Sequence, residues 1–309
     1  MSVVLPLKPR TPARPGPGPT PPALLRALDL TVRRRVEGLL PGEHRAPGTG
    51  AGTELAQVRP YQPGDDVRQL DPNVSARTRE PHVRVHVPER ALTTWLLLDA
   101  SASMGFGTAD RRKADVLEGV ALALGHVATR RGNRLGVATF GHPEDRTLPP
   151  RQGRAGLLGL LAALRTEPEE EGGGATALGA ALRRAGALAR TRRVIVVVSD
   201  FRGPRDWFGA LAALRGRHGV LCVEVRDPRE QELPDVGDLW LVDPETGRQL
   251  RVDTRRRRLR ERFRAEAAAE REGLARELRR AGADHVVLST RGDWLGALAR
   301  HLRGPGVGR

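Results

Sequence analysis

The stretch Thr93-Thr-Trp-Leu-Leu-Leu-Asp99-Ala-Ser101-Ala-Ser103-Met-Gly105 decides the fold of this 309-residue chain. Its first half is apolar and predicts a strand that is buried on both faces. The strand ends in a carboxylate, and two hydroxyl side chains follow at alternate positions. Such strands belong to parallel sheets with helices on both sides, where ligands bind beyond the carboxyl ends of the strands. The stretch therefore predicts an α/β domain with a polar site at one edge of its sheet.

The chain beyond residue 92 alternates apolar strands with amphipathic helices. The predicted strands cover residues 93–99, 134–140, 193–199, 220–225 and 285–288, with a hairpin over residues 239–252. The predicted helices cover residues 111–131, 155–164, 178–189, 206–215, 255–281 and 294–302. This alternation is typical of a doubly wound, mostly parallel sheet of the Rossmann type, and we assign residues 93–303 to it.

The N-terminal part of the chain has a different character. Residues 1–22 are rich in proline and predict a disordered tail. Residues 23–92 are expected to form a separate region, in which apolar residues at helical spacing predict a helix over residues 23–40. The alternating run His82-Val-Arg-Val-His-Val87 predicts a strand with one buried face. We therefore expect a helix followed by a small β-rich lobe.

Composition narrows the class of protein. One cysteine, Cys222, excludes an internal disulfide and fits a reducing compartment. No stretch approaches the roughly 20 apolar residues of a membrane helix. The first residues, 1–7, are too short for the core of a signal peptide. These features predict a soluble, cytoplasmic protein.

The formal net charge of +15 raises nucleic acid as a partner. All but two of the 52 basic residues are arginine, as expected of a GC-rich genome, so codon supply accounts for part of this charge. The sequence shows no basic strand studded with aromatic residues and no zinc-finger spacing. A basic nucleic-acid-binding protein with a structural metal site remains an alternative, but not the favoured one.

Two further segments bring polar residues to the same predicted edge of the sheet. Thr176 follows the glycine loop Gly172-Gly-Gly-Ala and precedes a helix, and Asp200 follows the apolar strand Val194-Ile-Val-Val-Val-Ser199. Hydroxyl and carboxylate oxygens suit Mg²⁺ or Mn²⁺. Each residue taken alone could instead be a helix cap or a turn residue.

Taken together, the five residues Asp99, Ser101, Ser103, Thr176 and Asp200 resemble the metal-ion-dependent adhesion site of von Willebrand factor A domains. The resemblance implies that the three hydroxyls reach a metal directly or through water. The two aspartates would supply charge, partly through bound waters. An octahedral Mg²⁺ with one position left to water can accept the Asp or Glu carboxylate of a partner protein.

A second resemblance covers roughly residues 48–260. The run Arg59-Pro-Tyr-Gln-Pro-Gly-Asp-Asp-Val-Arg68 and the later run Asp227-Pro-Arg-Glu230 resemble the bacterial "domain of unknown function 58" family. Pro72 stands where that family usually has tryptophan. The family has no established activity, but its members are commonly encoded beside MoxR-type AAA+ ATPases. The resemblance therefore implies an adaptor or co-chaperone that acts with such an ATPase.

Other constellations fit simpler interpretations. Asp65 and Asp66 follow Pro-Gly, which favours a turn whose carboxylates hydrogen-bond to the backbone or pair with arginine over a second polar site. The long helix after Arg255 mixes arginine and glutamate, which predicts a solvated, salt-bridged face; contact with an acidic partner is the alternative.

Catalysis is not expected. The sequence contains no G-x-S-x-G elbow and no phosphate-binding P-loop. His126, His142 and His285 are not tied by spacing to Ser101 or Ser103. Phosphotransfer at an aspartate would need a second aspartate close behind the first in the sequence or a lysine at a later strand end, and neither lysine of the chain is so placed. A metal-dependent hydrolase remains the less favoured alternative to a binding module.

Overall fold

The computed structural model describes residues 12–22, 54–87, 93–130, 133–141, 145–164, 178–189, 191–243 and 248–303. The chain divides into two compact units, one of residues 1–40 with 92–309 and one of residues 41–91. The helix expected over residues 23–40 lies outside the described residues, as do Thr176 and His142.

The smaller unit is built on one antiparallel pair of strands, β1 (Glu54–Pro60) and β2 (His82–Val87). A 3-10 turn (Val67–Gln69) and a short helix, α1 (Pro72–Thr78), lie between the strands. The strand predicted over residues 82–87 is therefore present, and the lobe also contains a helix that the sequence did not predict.

Helix α1 begins where its capping residues require. The Asp71 carboxylate accepts hydrogen bonds from the backbone N–H groups of Asn73 and Val74, at 3.0 and 3.1 Å. Pro72 occupies the first helical position, where its fixed φ suits a helix and its missing N–H costs nothing. The residue that departs from the family pattern is thus accommodated locally.

Asp65 and Asp66 are turn residues. Both Asp65 oxygens accept from the Arg59 guanidinium, at 2.8 and 2.7 Å, and one also accepts from the backbone N–H of Gln62. The Asp66 carboxylate accepts from the backbone N–H of Arg68 at 3.0 Å. The turn interpretation is confirmed, with Arg59 as the pairing arginine.

The larger unit has a six-stranded sheet with the order β10-β7-β6-β3-β4-β5. Its strands are β3 (Thr93–Asp99), β4 (Arg134–Phe140), β5 (Thr147–Gln152), β6 (Val194–Ser199), β7 (Gly219–Arg226) and β10 (Asp284–Ser289). All neighbouring pairs are parallel except β4–β5. Strands β8 (Asp238–Val242) and β9 (Gln249–Asp253) form the predicted hairpin apart from this sheet.

Strand β5 was not predicted because Pro149 and Pro150 lie in its middle. Proline cannot donate a ladder hydrogen bond and is found in sheets mainly on edge strands. Since β5 is the outermost strand, beside β4 alone, it tolerates both prolines.

In the described part of the chain, six helices cover the two faces of this sheet. They are α2 (Lys113–Ala128), α3 (Gly153–Leu164), α4 (Leu178–Leu188), α5 (Phe208–Arg215), α6 (Arg257–Arg280) and α7 (Trp294–Arg303). Alternate residues of β3 enter different cores: Leu96 and Leu98 join the core that includes α2, α3 and α7, whereas Trp95 and Leu97 join the core that includes α4, α5 and α6. The doubly wound α/β class predicted from the sequence is confirmed. None of the described helices is long and apolar enough to cross a membrane.

Strand β3 marks the point where the direction of winding reverses. The chain passes from β3 through α2 to β4 on one side, and later returns to place β6 on the other side. In doubly wound sheets the crevice at this reversal, beyond the carboxyl ends of the strands, is where ligands bind. Here that crevice lies between the ends of β3 and β6, next to Asp99 and Asp200.

Residues 12–21 differ from the predicted disordered tail, because they are hydrogen-bonded to other parts of the larger unit. The backbone N–H groups of Ala13 and Arg14 donate to the carbonyls of Ala109 and Asp110. The Pro17 carbonyl accepts from the indole N–H of the buried Trp294 at 3.1 Å. A buried indole needs an acceptor, and the proline-rich segment supplies one.

Helix α6 has the mixed, salt-bridged surface that its sequence predicts. Arg257 pairs with Glu261 at 2.7 Å, and Arg276 lies 3.7 Å from Glu272, each four residues apart. Exposed pairs of this kind stabilise a helix only slightly.

Candidate metal site at the carboxyl edge of the sheet

Asp99, the last residue of β3, is buried and held by two donors. Its Oδ1 accepts from the backbone N–H of Ser101 at 2.9 Å, and its Oδ2 accepts a short hydrogen bond from the Ser199 hydroxyl. Ser199 is the last residue of β6, so this bond ties together the two strand ends that border the crevice.

The two serines after Asp99 continue this cluster toward Asp200. Ser101 precedes a 3-10 turn, Ala102–Gly105, and both Ser101 and Ser103 are buried. The Ser101 and Ser103 hydroxyls lie 3.0 Å apart, and the Ser103 hydroxyl donates to Asp200 Oδ2 at 2.8 Å. The structure therefore brings together four of the five predicted site residues, and the fifth, Thr176, lies outside the described residues.

A strained turn after β6 orients Asp200. Phe201 has a φ of 55°, in the left-handed region that bulky residues rarely adopt. Its backbone N–H donates to the Ser199 hydroxyl at 2.9 Å, and the N–H of Arg202 donates to Asp200 Oδ1 at 3.0 Å. The Phe201 ring is buried edge-on against Trp207, which helps to hold this conformation. The turn leaves Asp200 Oδ2 facing the serines.

Lys113 is a member of the cluster that the sequence did not predict. This first residue of α2 is fully buried, and its Nζ lies 2.6 Å from Asp200 Oδ2 and 2.7 Å from Glu230 Oε1. Lys113 and Asp200 are 87 residues apart in the sequence, so the local spacing of residues gives no sign of their contact. The available signal was compositional, since a chain that otherwise uses arginine has only one lysine besides Lys8.

The polar network extends beyond Lys113 along the same edge of the sheet, past the end of β7. Glu230 Oε2 accepts from the backbone N–H of Asp227 at 3.0 Å, and together they cap the 3-10 turn Pro228–Glu230. The buried Asp227 carboxylate in turn accepts from the hydroxyls of Thr108 and Thr290. The run Asp227-Pro-Arg-Glu230, quoted above for its family resemblance, thus connects the cluster to β10.

The charges of this cluster are unevenly balanced. Burial and the nearby Asp200 raise the pKa of Asp99 to about 7. Burial would also raise the pKa of Asp200, but the charge and hydrogen bond of Lys113 outweigh it and hold that pKa below its ordinary value. The carboxylates that contact Lys113, those of Asp200 and Glu230, keep the pKa of Lys113 above its ordinary value despite burial. Lys113 therefore neutralises Asp200, whereas Asp99 has no described basic partner.

The donor set fits a hard divalent ion. The converging atoms are hydroxyl and carboxylate oxygens, which suit Mg²⁺ or Mn²⁺ rather than a soft metal. No group of three or more His, Cys, Asp and Glu side chains that could hold a metal occurs in the described part of the chain. A metal held here would thus depend on Ser101, Ser103 and water as well as on the two aspartates. A cation beside Asp99 would also relieve the repulsion between the carboxylates.

Of the histidines considered above, His285 is engaged outside the cluster. Its Nε2 lies 2.9 Å from Glu224 Oε2, a contact between strands β10 and β7. His126 lies partly buried in α2, and His142 lies outside the described residues.

The fold and the site together define an α/β domain of the doubly wound class, with an Asp-Ser-Ser-Asp oxygen cluster at the point where its winding reverses. The chain belongs to the family described as "Protein of unknown function DUF58", whose model matches residues 57–273. It is 41% identical over 282 residues to the uncharacterized protein Rv1480 of Mycobacterium tuberculosis, a match that covers 91% of this chain and 88% of that protein.

Solved structures with similar folds include BatB from Bacteroides thetaiotaomicron, with a TM-score of 0.45 and 16% identity over 69% of this chain and 97% of that chain. They also include a von Willebrand factor type A protein from Catenulispora acidiphila, with a TM-score of 0.37 and 16% identity over 69% of this chain and 41% of that chain.

Proposed function

We propose that this protein is a metal-dependent protein-binding module. A Mg²⁺ or Mn²⁺ ion would be held at the carboxyl edge of the sheet by Asp99, Ser101, Ser103 and Asp200, with Thr176 as the remaining ligand that the resemblance implies. The observation that carries the proposal is the convergence of two hydroxyls and two buried carboxylates beside β3 and β6, where no described basic side chain pairs with Asp99.

The chain's own residues prepare this site before any partner arrives. The N–H of Ser101 and the hydroxyl of Ser199 fix the Asp99 carboxylate, so that it need not reorganise on binding. The Ser103 hydroxyl donates to Asp200 and the Ser101 hydroxyl lies beside it, and neither group adds negative charge. The bound ion would keep most of its charge and supply an open coordination position for an Asp or Glu of the partner.

Binding rather than turnover is the function that this geometry favours. A hydrolase needs a general base that is free to take a proton from water. Both Asp99 oxygens already accept hydrogen bonds, and Asp200 is bonded to Lys113 and Ser103. The carboxylates are therefore fixed acceptors, which suits a cation that would bind beside them.

The partner we propose is a protein assembled or activated together with a MoxR-type AAA+ ATPase, or that ATPase itself. This part of the proposal rests on the family, not on the site. The net charge of +15 supports an acidic partner, because opposite charge speeds association at low salt.

The test is affinity capture from host lysate, treated with nuclease and held at physiological salt, with bound proteins identified by mass spectrometry. Wild type and Asp99→Ala are compared in Mg²⁺ and in EDTA. Asp235→Ala is the matched control, since it removes the same charge from a carboxylate whose side chain is 58% exposed and paired with Arg260.

The proposal predicts a partner that binds wild type and Asp235→Ala in Mg²⁺ only, and never binds Asp99→Ala. Capture of the same proteins by wild type and Asp99→Ala, in Mg²⁺ and in EDTA alike, would contradict the proposal. Capture of nucleic acid from untreated lysate, with steep salt dependence and no response to EDTA, would favour the nucleic-acid alternative.

A further inference from the structure

Lys113 places an ammonium group inside the same cluster that offers ligands to a divalent ion. Its Nζ and the Ser103 hydroxyl both bond to one atom, Asp200 Oδ2, at 2.6 and 2.8 Å. The other oxygen of Asp200 accepts from the backbone N–H of Arg202. An ion that uses Asp200 on the serine side must therefore share Oδ2 with Lys113 or displace it.

We propose that Lys113 is a built-in competitor that sets the metal affinity of this site. Its ammonium neutralises Asp200 when the ion is absent, and it yields Asp200 Oδ2 to the ion when the ion binds. The inference rests on the proposed function, because it concerns a divalent ion at these residues. It accounts for two buried carboxylates lying close together with an ammonium group beside them.

Glu230 allows Lys113 to give up Asp200 without becoming an unpaired buried charge. Its Oε2 is fixed by the backbone N–H of Asp227, which leaves Oε1 for Lys113 at 2.7 Å. Lys113 is fully buried, and a buried ammonium with no anion would be very unfavourable. Its second salt bridge therefore makes the exchange between ammonium and metal possible.

The experiment measures binding of Mn²⁺ alone, by electron paramagnetic resonance and calorimetry, to purified full-length protein. Wild type is compared with Lys113→Met, which keeps the length of the side chain and removes its charge. Arg257→Met is the matched control: Arg257 pairs with Glu261 at 2.7 Å on α6, and its side chain is 85% exposed. Competition predicts that Lys113→Met binds Mn²⁺ at least about tenfold more tightly than wild type, since a like charge a few ångströms away opposes the ion strongly. Arg257→Met should change the affinity less than about twofold, because exposed charges are screened.

A double variant, Lys113→Met with Glu230→Gln, distinguishes competition by the ammonium group from a simple change in the net charge of the cluster. It also reduces the risk that the variant misfolds. It removes one positive and one negative charge, so the net charge of the cluster stays the same. Competition predicts that it still binds Mn²⁺ more tightly than wild type. Circular dichroism confirms folding, and the shift of the thermal midpoint on adding Mn²⁺ should be larger for both Lys113 variants than for wild type.

The outcomes distinguish this inference from the proposed function. If Lys113→Met binds Mn²⁺ and wild type does not, the competition is supported and the metal-dependent function of the native chain fails. If both bind equally, the competition is overturned and the proposed function stands. If neither the single nor the double variant nor wild type binds Mn²⁺, both ideas are wrong.

Discussion

The Thr290 hydroxyl donates a 2.7 Å hydrogen bond to Asp227 Oδ2, joining the ends of β10 and β7 across 63 residues of sequence. The same carboxylate accepts from the backbone N–H and hydroxyl of Thr108, at 2.8 and 2.6 Å. Thr108 lies in the loop that follows the serine motif. Asp227 therefore holds three segments together at the edge of the sheet that carries the candidate metal site.

Replacing this carboxylate should destabilise the fold. Asp227→Asn puts an amide, which is a weaker acceptor, against donors arranged for an anion, and we expect a loss of about 2–3 kcal/mol in the free energy of unfolding. Thr290→Val should cost less, about 1 kcal/mol, because it removes only one of the donors. Urea denaturation at pH 7 measures both. A loss below about 0.5 kcal/mol for Asp227→Asn would show that the hydrogen bonds to Asp227 contribute little to the stability of the fold.

Gly119 in α2 is required by the close approach of Trp294. A Cβ added at Gly119 would lie 2.3 Å from the Trp294 ring, so Gly119→Ala should destabilise the fold by about 1–3 kcal/mol despite the better helix propensity of alanine. Gly209→Ala in α5 is the control, since its Cβ meets nothing within 4 Å. It should stabilise the protein slightly, by roughly 0.5 kcal/mol. Equal effects of the two variants would exclude the steric explanation.

His218 should make stability depend on pH. Its ring is fully buried and neither nitrogen is hydrogen-bonded to any described residue, and burial together with Arg217 and Arg193 lowers its pKa from the ordinary value of 6.5. The unfolded chain therefore takes up a proton more readily than the folded chain as pH falls below about 6.5. The contribution of His218 to stability is present above this pH and is lost as pH falls toward its folded pKa.

Substitution of His218 by an apolar residue tests this linkage. His218→Leu should reduce the difference in unfolding free energy between pH 7.5 and pH 5, measured by urea denaturation at each pH. An unchanged difference in the variant would mean that other groups cause the pH dependence.

Cys222 should report global unfolding. The thiol is fully buried in β7, and burial raises its pKa above the ordinary range, so the reactive thiolate is suppressed. A disulfide reagent should modify it only in denaturant, with a midpoint that matches circular dichroism. Rapid modification in native buffer would reveal local opening of the sheet. As the sole cysteine, it needs no background subtraction.

The order of the main strands and helices could be predicted because periodicity is a local property of the sequence. The same reasoning failed for β5, because Pro149 and Pro150 argue against a strand in the sequence. Prolines are tolerated mainly in an edge strand, and the sequence does not show that β5 is one. It could place Asp99 and Asp200 at one edge, since parallel strands bring their carboxyl ends together. It could not find Lys113, whose role depends on packing between segments far apart in the chain.

Binding of Mg²⁺ to the purified chain tests the central claim most directly. Isothermal titration calorimetry of wild type should show saturable binding of a single ion, and Asp99→Ala should show none under the same conditions. Ser103→Ala should bind more weakly, because it removes a ligand without removing charge. Equal binding by wild type and Asp99→Ala, or no binding by wild type, would contradict a divalent ion at the carboxyl ends of β3 and β6.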